Sequence, residues 1–170
     1  MRDRKVLLIF MLIMICAVLV SGCASEDAPA TEPGMTGYVM RLDGNRMLVV
    51  DPEPLDFSAT GGIDEFYNAI WFANYPDEVL VGHKVAVWFD IVADSYPGQS
   101  EAQHVEIIAV DEPAGASFDQ AEALRRALAQ LEPGTPDLAV IRIAFDQDQN
   151  AWTIELKELF SDQFYLVEVE

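Results

Sequence analysis

Residues 37 to 50 read Gly37-Tyr38-Val39-Met40-Arg41-Leu42-Asp43-Gly44-Asn45-Arg46-Met47-Leu48-Val49-Val50. Two apolar runs, Tyr38 to Leu42 and Met47 to Val50, flank Asp43-Gly44-Asn45. Asp-Gly between such runs is a strong hairpin signal, because a tight hairpin turn needs positive φ at its centre. The folded part of the chain therefore opens as antiparallel β structure. Pro52 and Pro54 close the hairpin, and the segment to Gly61-Gly62 reads as loop.

Further strands are expected downstream. Glu65 to Ala73 mixes helical and alternating spacing, but aromatics and Ile dominate and Asn74-Tyr75-Pro76-Asp77 forms a turn, which favours a strand. Val85 to Val92 alternates, with Val85, Val87, Phe89 and Ile91 on one face and Lys84, Ala86, Trp88 and Asp90 on the other. It is entered from a turn at Gly82. Asp94 to Gly98 shows no regular pattern, and His104 to Val110 alternates again. Five strands thus fall between Gly37 and Val110. Asp111-Glu112-Pro113-Ala114-Gly115 then breaks the pattern.

A second unit follows over residues 117–170. Ser117 with Gln120 three residues on fits a capping box, and Asp119 and Glu122 suit the positive start of a helix. Phe118, Ala121, Leu124, Leu128 and Leu131 recur at helical spacing until Pro133-Gly134 ends the run. Three strands should follow: Leu138 to Phe145 with Ile141, Ile143 and Phe145 inward, Ala151 to Lys157 with Trp152, Ile154 and Leu156 inward, and Phe164 to Val169. The expected class is mainly β (α+β), with an α-β-β-β second unit whose spare apolar face is free to pack on the first.

The start of the chain concerns location. Met1-Arg2-Asp3-Arg4-Lys5 precedes an apolar run from Val6 to Val20, which ends in Ser21-Gly22-Cys23. A basic start, an apolar stretch and small residues before a cut define an export signal, and a transmembrane span needs roughly 20 apolar residues. The box resembles the signal of bacterial lipoproteins. That resemblance implies a signal peptide over 1–22, a lipid on Cys23, and a place in the cell membrane on its extracytoplasmic face. Residues 23–36, rich in small, polar and proline residues, read as a flexible tether.

Composition narrows the function. Removing 1–22 takes the chain from 10 basic and 29 acidic residues to 7 and 28, so the net charge moves from -19 to -21. Such a chain is repelled by phosphates, which argues against nucleic-acid partners and favours neutral or cationic ones. With Cys16 in the signal and Cys23 as lipid site, the folded part has no thiol, so disulfides and thiol catalysis are excluded.

The blocks Gly37-Tyr38-Val39-Met40, Leu48-Val49-Val50, Ala69-Ile70-Trp71-Phe72, Val81-Gly82-His83-Lys84-Val85 and Ser95-Tyr96-Pro97-Gly98-Gln99-Ser100 resemble the YobA-like family of small secreted lipoproteins of unknown function, over about residues 37–110. The strand order, with Gly82 leading into the fourth strand, also resembles an OB-like five-strand barrel. The helix and Trp152-Thr153-Ile154-Glu155-Leu156 resemble PepSY-type modules weakly. None of these resemblances implies catalytic residues or a cofactor.

Candidate chemistry is accordingly that of binding. Trp71, Tyr75, Trp88, Tyr96 and Gln99 are the candidate ligand-binding residues, with the Ser95 to Ser100 loop as the most distinctive irregular stretch. Core packing is the commoner use of such aromatics. No Gly-x-Ser-x-Gly accompanies Ser95 or Ser100. His83, His104 and Glu106 do not have the spacing of a known metal site. Asp146-Gln147-Asp148-Gln149-Asn150 copies the start of a calcium loop, then fails at Ala151 and Lys157, so a polar hairpin turn is expected. No metal and no catalytic residue is assigned. Three readings stay open: a lipid-anchored binding module for an envelope protein, peptide or wall component, a cell-envelope hydrolase, or a structural or inhibitory partner of a membrane protein.

Overall fold

The computed structural model describes residue 29 and residues 31–170. The expected signal, Cys23 and most of the tether lie outside the described residues. Strand β1 (Met35–Asp43) and strand β2 (Arg46–Val50) form the hairpin read from the sequence, with Gly44 at φ 60° in its turn. β1 begins two residues earlier than the sequence suggested. Met35 is opposite Val87 and buried, so the folded part takes in the end of the supposed tether.

β3 (Ala69–Ala73), β4 (Lys84–Trp88), β5 (Gly98–Glu101) and β6 (His104–Ile107) complete a six-stranded sheet in the order β5-β3-β2-β1-β4-β6. All its pairings are antiparallel except β3 with β5. In place of the expected OB-like five-strand barrel stands a sheet of six short strands, with no closed barrel ladder among the described residues. Its two edges, β5 and β6, are consecutive in the chain. Between them Ala102 N–H bonds to Ala73 O at 2.9 Å and Gln103 N–H to Trp88 O at 2.8 Å, so this stretch follows first β3 and then β4.

Three of the expected element assignments are corrected by the backbone pairing. Gly98 to Ser100, read as irregular loop, is strand because its backbone pairs with β3. The run expected to reach Val92 stops at Trp88, after which Ala93 N–H bonds to Gln99 O and Ile91 O accepts from Ser100 Oγ. Ile91, placed by alternation on the face of Val85 and Val87, is 81% exposed. Of the stretch from Glu65, only Ala69–Ala73 is strand, while Phe66 forms an isolated bridge with Leu55.

Both faces of the sheet are buried. On one face Val39, Met47, Val49, Ile70, Phe72, Val85 and Val87 form one core with Met35 and Val79. On the other, Tyr38, Met40, Leu48, Val50 and Ala69 share a second core with the rest of the chain. This explains why Met47 to Val50 reads as a continuous apolar run. Tyr38 and Met40 share the second face by ordinary alternation, and the register shift between Val39 and Arg41 then returns Leu42, opposite Met47, to the first.

The second unit has the expected order. Helix α1 (Gln120–Gln130) precedes β7 (Leu138–Asp146), β8 (Ala151–Glu158) and β9 (Phe164–Val169), which form a three-stranded antiparallel sheet. Asp119, rather than Ser117, caps the helix, its Oδ1 accepting from Glu122 N–H at 2.7 Å. Trp152, Ile154 and Leu156 are buried as read. In β7 Leu138, Ala139 and Val140 are buried, while Ile141, Ile143 and Phe145, expected inward, are half-buried and pack against the same core; the register shift between Val140 and Arg142 leaves Ile141 as the extra residue beside Val140. Ala123, Leu124 and Ala127 of α1 close this core.

Candidate functional site

The parallel pairing of β3 and β5 sets Trp71 directly beside Gln99. Trp71 is half-buried, with the second core beneath it, and Gln99 is exposed. The Arg46 guanidinium carbon lies 5.0 Å from the centre of the Trp71 ring, and its Nη2 pairs with Asp43 Oδ2 at 2.7 Å. Arg46, Trp71 and Gln99 line a groove of about 600 Å³ with Asp90, Ser100, Glu101 and Gln103. Gln103 Nε2 donates to Asp90 Oδ2 at 2.5 Å, and Ile91 stands at the rim. An aromatic ring, two amides, two carboxylates and a guanidinium make a binding surface. The Ser100 hydroxyl donates to Ile91 O at 2.8 Å, and no histidine lines the groove to activate it.

The other sequence-predicted site residues lie elsewhere. Trp88 is buried, its Nε1–H donates to Thr31 O at 2.8 Å, and its ring meets that of His104 edge-on at 5.0 Å. Tyr75 packs against the first core and donates to Gly44 O at 3.3 Å. Tyr96 donates to Tyr67 O at 2.6 Å, and its ring lies 5.0 Å from Phe66 and 5.2 Å from Phe160. Burial pushes the Tyr96 hydroxyl up to about 12, with the charge of Asp137 adding to the shift. Of the five, the fold brings only Trp71 and Gln99 together.

The imagined metal ligands also separate. His83 Nδ1 accepts from Leu80 N–H at 3.2 Å, and burial, followed by the nearby Arg125, lowers its pKa. His104 is occupied by Trp88. Asp146 Oδ1 accepts from Asp148 N–H at 2.9 Å and Gln149 N–H at 3.1 Å, which makes the calcium-like stretch a hairpin turn. Among the described residues no group of three metal-ligating side chains is found.

The sequence reading missed the seam between the two sheets. Lys157 is buried, and its ammonium binds Glu65 and approaches Asp162 at 3.5 Å. Tyr67 donates to the same Glu65. Hydrogen bonds from Lys157 and then Tyr67 hold the Glu65 carboxyl below its ordinary pKa, while the Glu65 bond raises that of Lys157. A second cleft, of about 570 Å³, lies where Arg41 Nη2 comes within 2.6 Å of Asp137 Oδ1, with Thr135 and Phe160 beside them. That contact is an ion pair without a well-aimed N–H, since Asp137 Oδ1 is buried and lacks a hydrogen-bond donor. One signal was visible in the sequence: a lysine directly after the inward Leu156 requires a partner if it is buried.

Residues 36–109 match the family model described as "Protein of unknown function (DUF3221)", so a domain of that uncharacterised family occupies this stretch. The match spans the six-stranded sheet and stops before α1. It does not single out the YobA-like or PepSY-type likeness. No curated protein and no solved structure matches the chain.

Proposed function

We propose that this chain is a lipid-anchored, non-catalytic module held on the extracytoplasmic face of the cell membrane, where it binds a neutral component of the cell wall. The observation that carries the binding role is the placement of Trp71 beside Gln99 in the groove with Gln103 and Asp90. A half-open indole with amide and carboxylate groups around it suits hydroxyl-rich ligands, whose C–H faces stack on the ring while their hydroxyls find partners. The excess of 29 acidic over 10 basic residues works against anionic ligands. Support for the anchor is the export signal ending in Cys23.

Kinship with the YobA-like lipoproteins fits the domain match over 36–109. An OB-like reading of the first sheet is supported by the path of β5 and β6, one continuous stretch that pairs with β3 and then β4. Barrels of that type close through their last strand. The PepSY-type likeness of residues 117–170 rests on a helix followed by the Trp152 strand and carries no part of this reading.

The test is titration of the full chain with soluble wall glycan fragments, followed by tryptophan fluorescence. Binding should fall roughly tenfold or more (~1.4 kcal/mol) in Trp71→Ala and in Gln99→Ala. Trp71 touches the core, so the Gln99 variant, which leaves packing intact, is decisive. Unchanged affinity in Gln99→Ala, or turnover of the fragments by the wild-type chain, would overturn the proposal.

A further inference from the structure

The outer edge of β9 has no neighbouring strand among the described residues. β9 is an end strand of its sheet, pairing only with β8. Glu158 N–H bonds to Gln163 O at 3.0 Å, and in this register Tyr165, Val167 and Val169 also turn their peptide groups toward β8. Phe164, Leu166 and Glu168 therefore aim theirs outward. Gln130 Nε2, reaching Glu168 O at 3.4 Å from outside the ladder, agrees with this parity. Gln163 Nε2 covers Phe164 O at 2.9 Å. The N–H and C=O of Leu166 have no partner among the described residues, although unpaired strand edges are usually blunted.

The side chains along this edge are as open as its backbone. Leu166 is 69% exposed and Phe164 46%. Glu155 stands beside Leu166 and Thr153 beside Glu168 on β8. The nearest cations are engaged or set back: Lys157, 5.3 Å from the centre of the Phe164 ring, is held by Glu65 and Asp162, and Arg142 lies a strand further away opposite Glu155.

We propose that this edge takes up an extended segment of another protein by antiparallel strand addition, and that the segment carries a basic residue followed at alternate positions by two apolar ones. Register sets that order. With an apolar residue opposite Leu166, the residue two places later faces Phe164 and the residue two places earlier faces Glu168. The basic residue then also comes within reach of the acidic surface around Glu155.

A second copy of this chain does not fit. Pairing two β9 edges about Leu166 sets Phe164 against Glu168, and moving the register so that Leu166 meets Phe164 sets Glu168 against the exposed Asp162. Each arrangement also joins two chains of net charge -19.

The probe is a fluorescent peptide, acetyl-Thr-Lys-Thr-Val-Thr-Phe-Thr-amide, titrated into the full chain, with a control carrying Glu in place of Lys. The Lys peptide should bind about tenfold more tightly (~1.4 kcal/mol) than the control, and Glu168→Lys should reverse the preference. Leu166→Pro should abolish binding while preserving the fold, because the lost N–H is not used by β8. Glu168→Lys keeps the test decisive if the proline variant fails to fold. Equal binding of both peptides, no binding, or self-association of the full chain that Leu166→Pro removes would each overturn the proposal.

Discussion

Among the described residues Lys157 is the charged side chain that the fold buries, and its ammonium is held by Glu65, which comes from the loop before β3. Leaving that ammonium without its carboxylate costs more than replacing the whole pair by apolar groups. Glu65→Gln should thus destabilise the protein by about 1–3 kcal/mol, toward the low end because Glu65 is 37% exposed and solvent screens it. Lys157→Met should cost less. The pH dependence follows from the lowered folded pKa of Glu65. Its stabilisation is fully present above its ordinary value of 4.5 and is lost as pH falls through the depressed one. Chemical denaturation between pH 7 and pH 3 should show the Glu65→Gln and wild-type stabilities converging as the acid end is approached. A constant gap would remove the ion pair as the cause. The sequence marks Lys157 as needing a partner if buried but not which one, since nothing in the spacing of Glu65 and Lys157 indicates that they meet. The five candidate site residues fared similarly: residue type identified the aromatics, but only the parallel pairing of β3 and β5 selected Trp71 and Gln99 from them.

At the scale of elements, the strands with strong alternation and the helix were legible, because 2.0 and 3.6 periodicities follow directly from which face is buried. The departures have backbone causes. The register shifts after Val39 and after Val140 move a side chain without leaving a mark in the residue types. β5 was missed because Gly98-Gln99-Ser100-Glu101 has no apolar alternation, its strand character coming from pairing with β3. Gly82, read only as a turn, turns out to join the two units. It has φ 93°, and a Cβ there would overlap the backbone carbonyl of Ala121 in α1. Gly44 has φ 60° with nothing within 4 Å, so it faces only the backbone cost of a left-handed residue. Gly44→Ala should therefore destabilise by about 1 kcal/mol, and Gly82→Ala by about 3 kcal/mol or more with loosened amide protection in α1. Equal losses at the two sites would show that the helix does not depend on this close approach.

At the scale of the whole molecule, the decisive fact is that the domain match ends at residue 109 while the core does not. Tyr38, Met40, Leu48, Val50 and Ala69 on the first sheet are covered by α1 and the second sheet. Each large apolar side chain contributes roughly 1.5–3 kcal/mol when buried, so uncovering this face removes an amount comparable with the ~5–15 kcal/mol that holds a typical domain folded. The sequence suggested two units with spare apolar faces, and their fusion into one core follows from the two-sided burial of β2. The full chain should unfold in a single transition, with tryptophan fluorescence and far-ultraviolet circular dichroism giving the same midpoint. A fragment ending at residue 112 should bind a hydrophobic dye and lack a sharp transition, because its exposed face has no partner. Supplying residues 113–170 separately should restore cooperativity if the shared core is what is missing. A fragment that melts sharply and excludes the dye would instead make the second unit an attachment to an already stable domain, and the stability of the first sheet would then rest on the Val39, Val49, Phe72 and Val87 core alone.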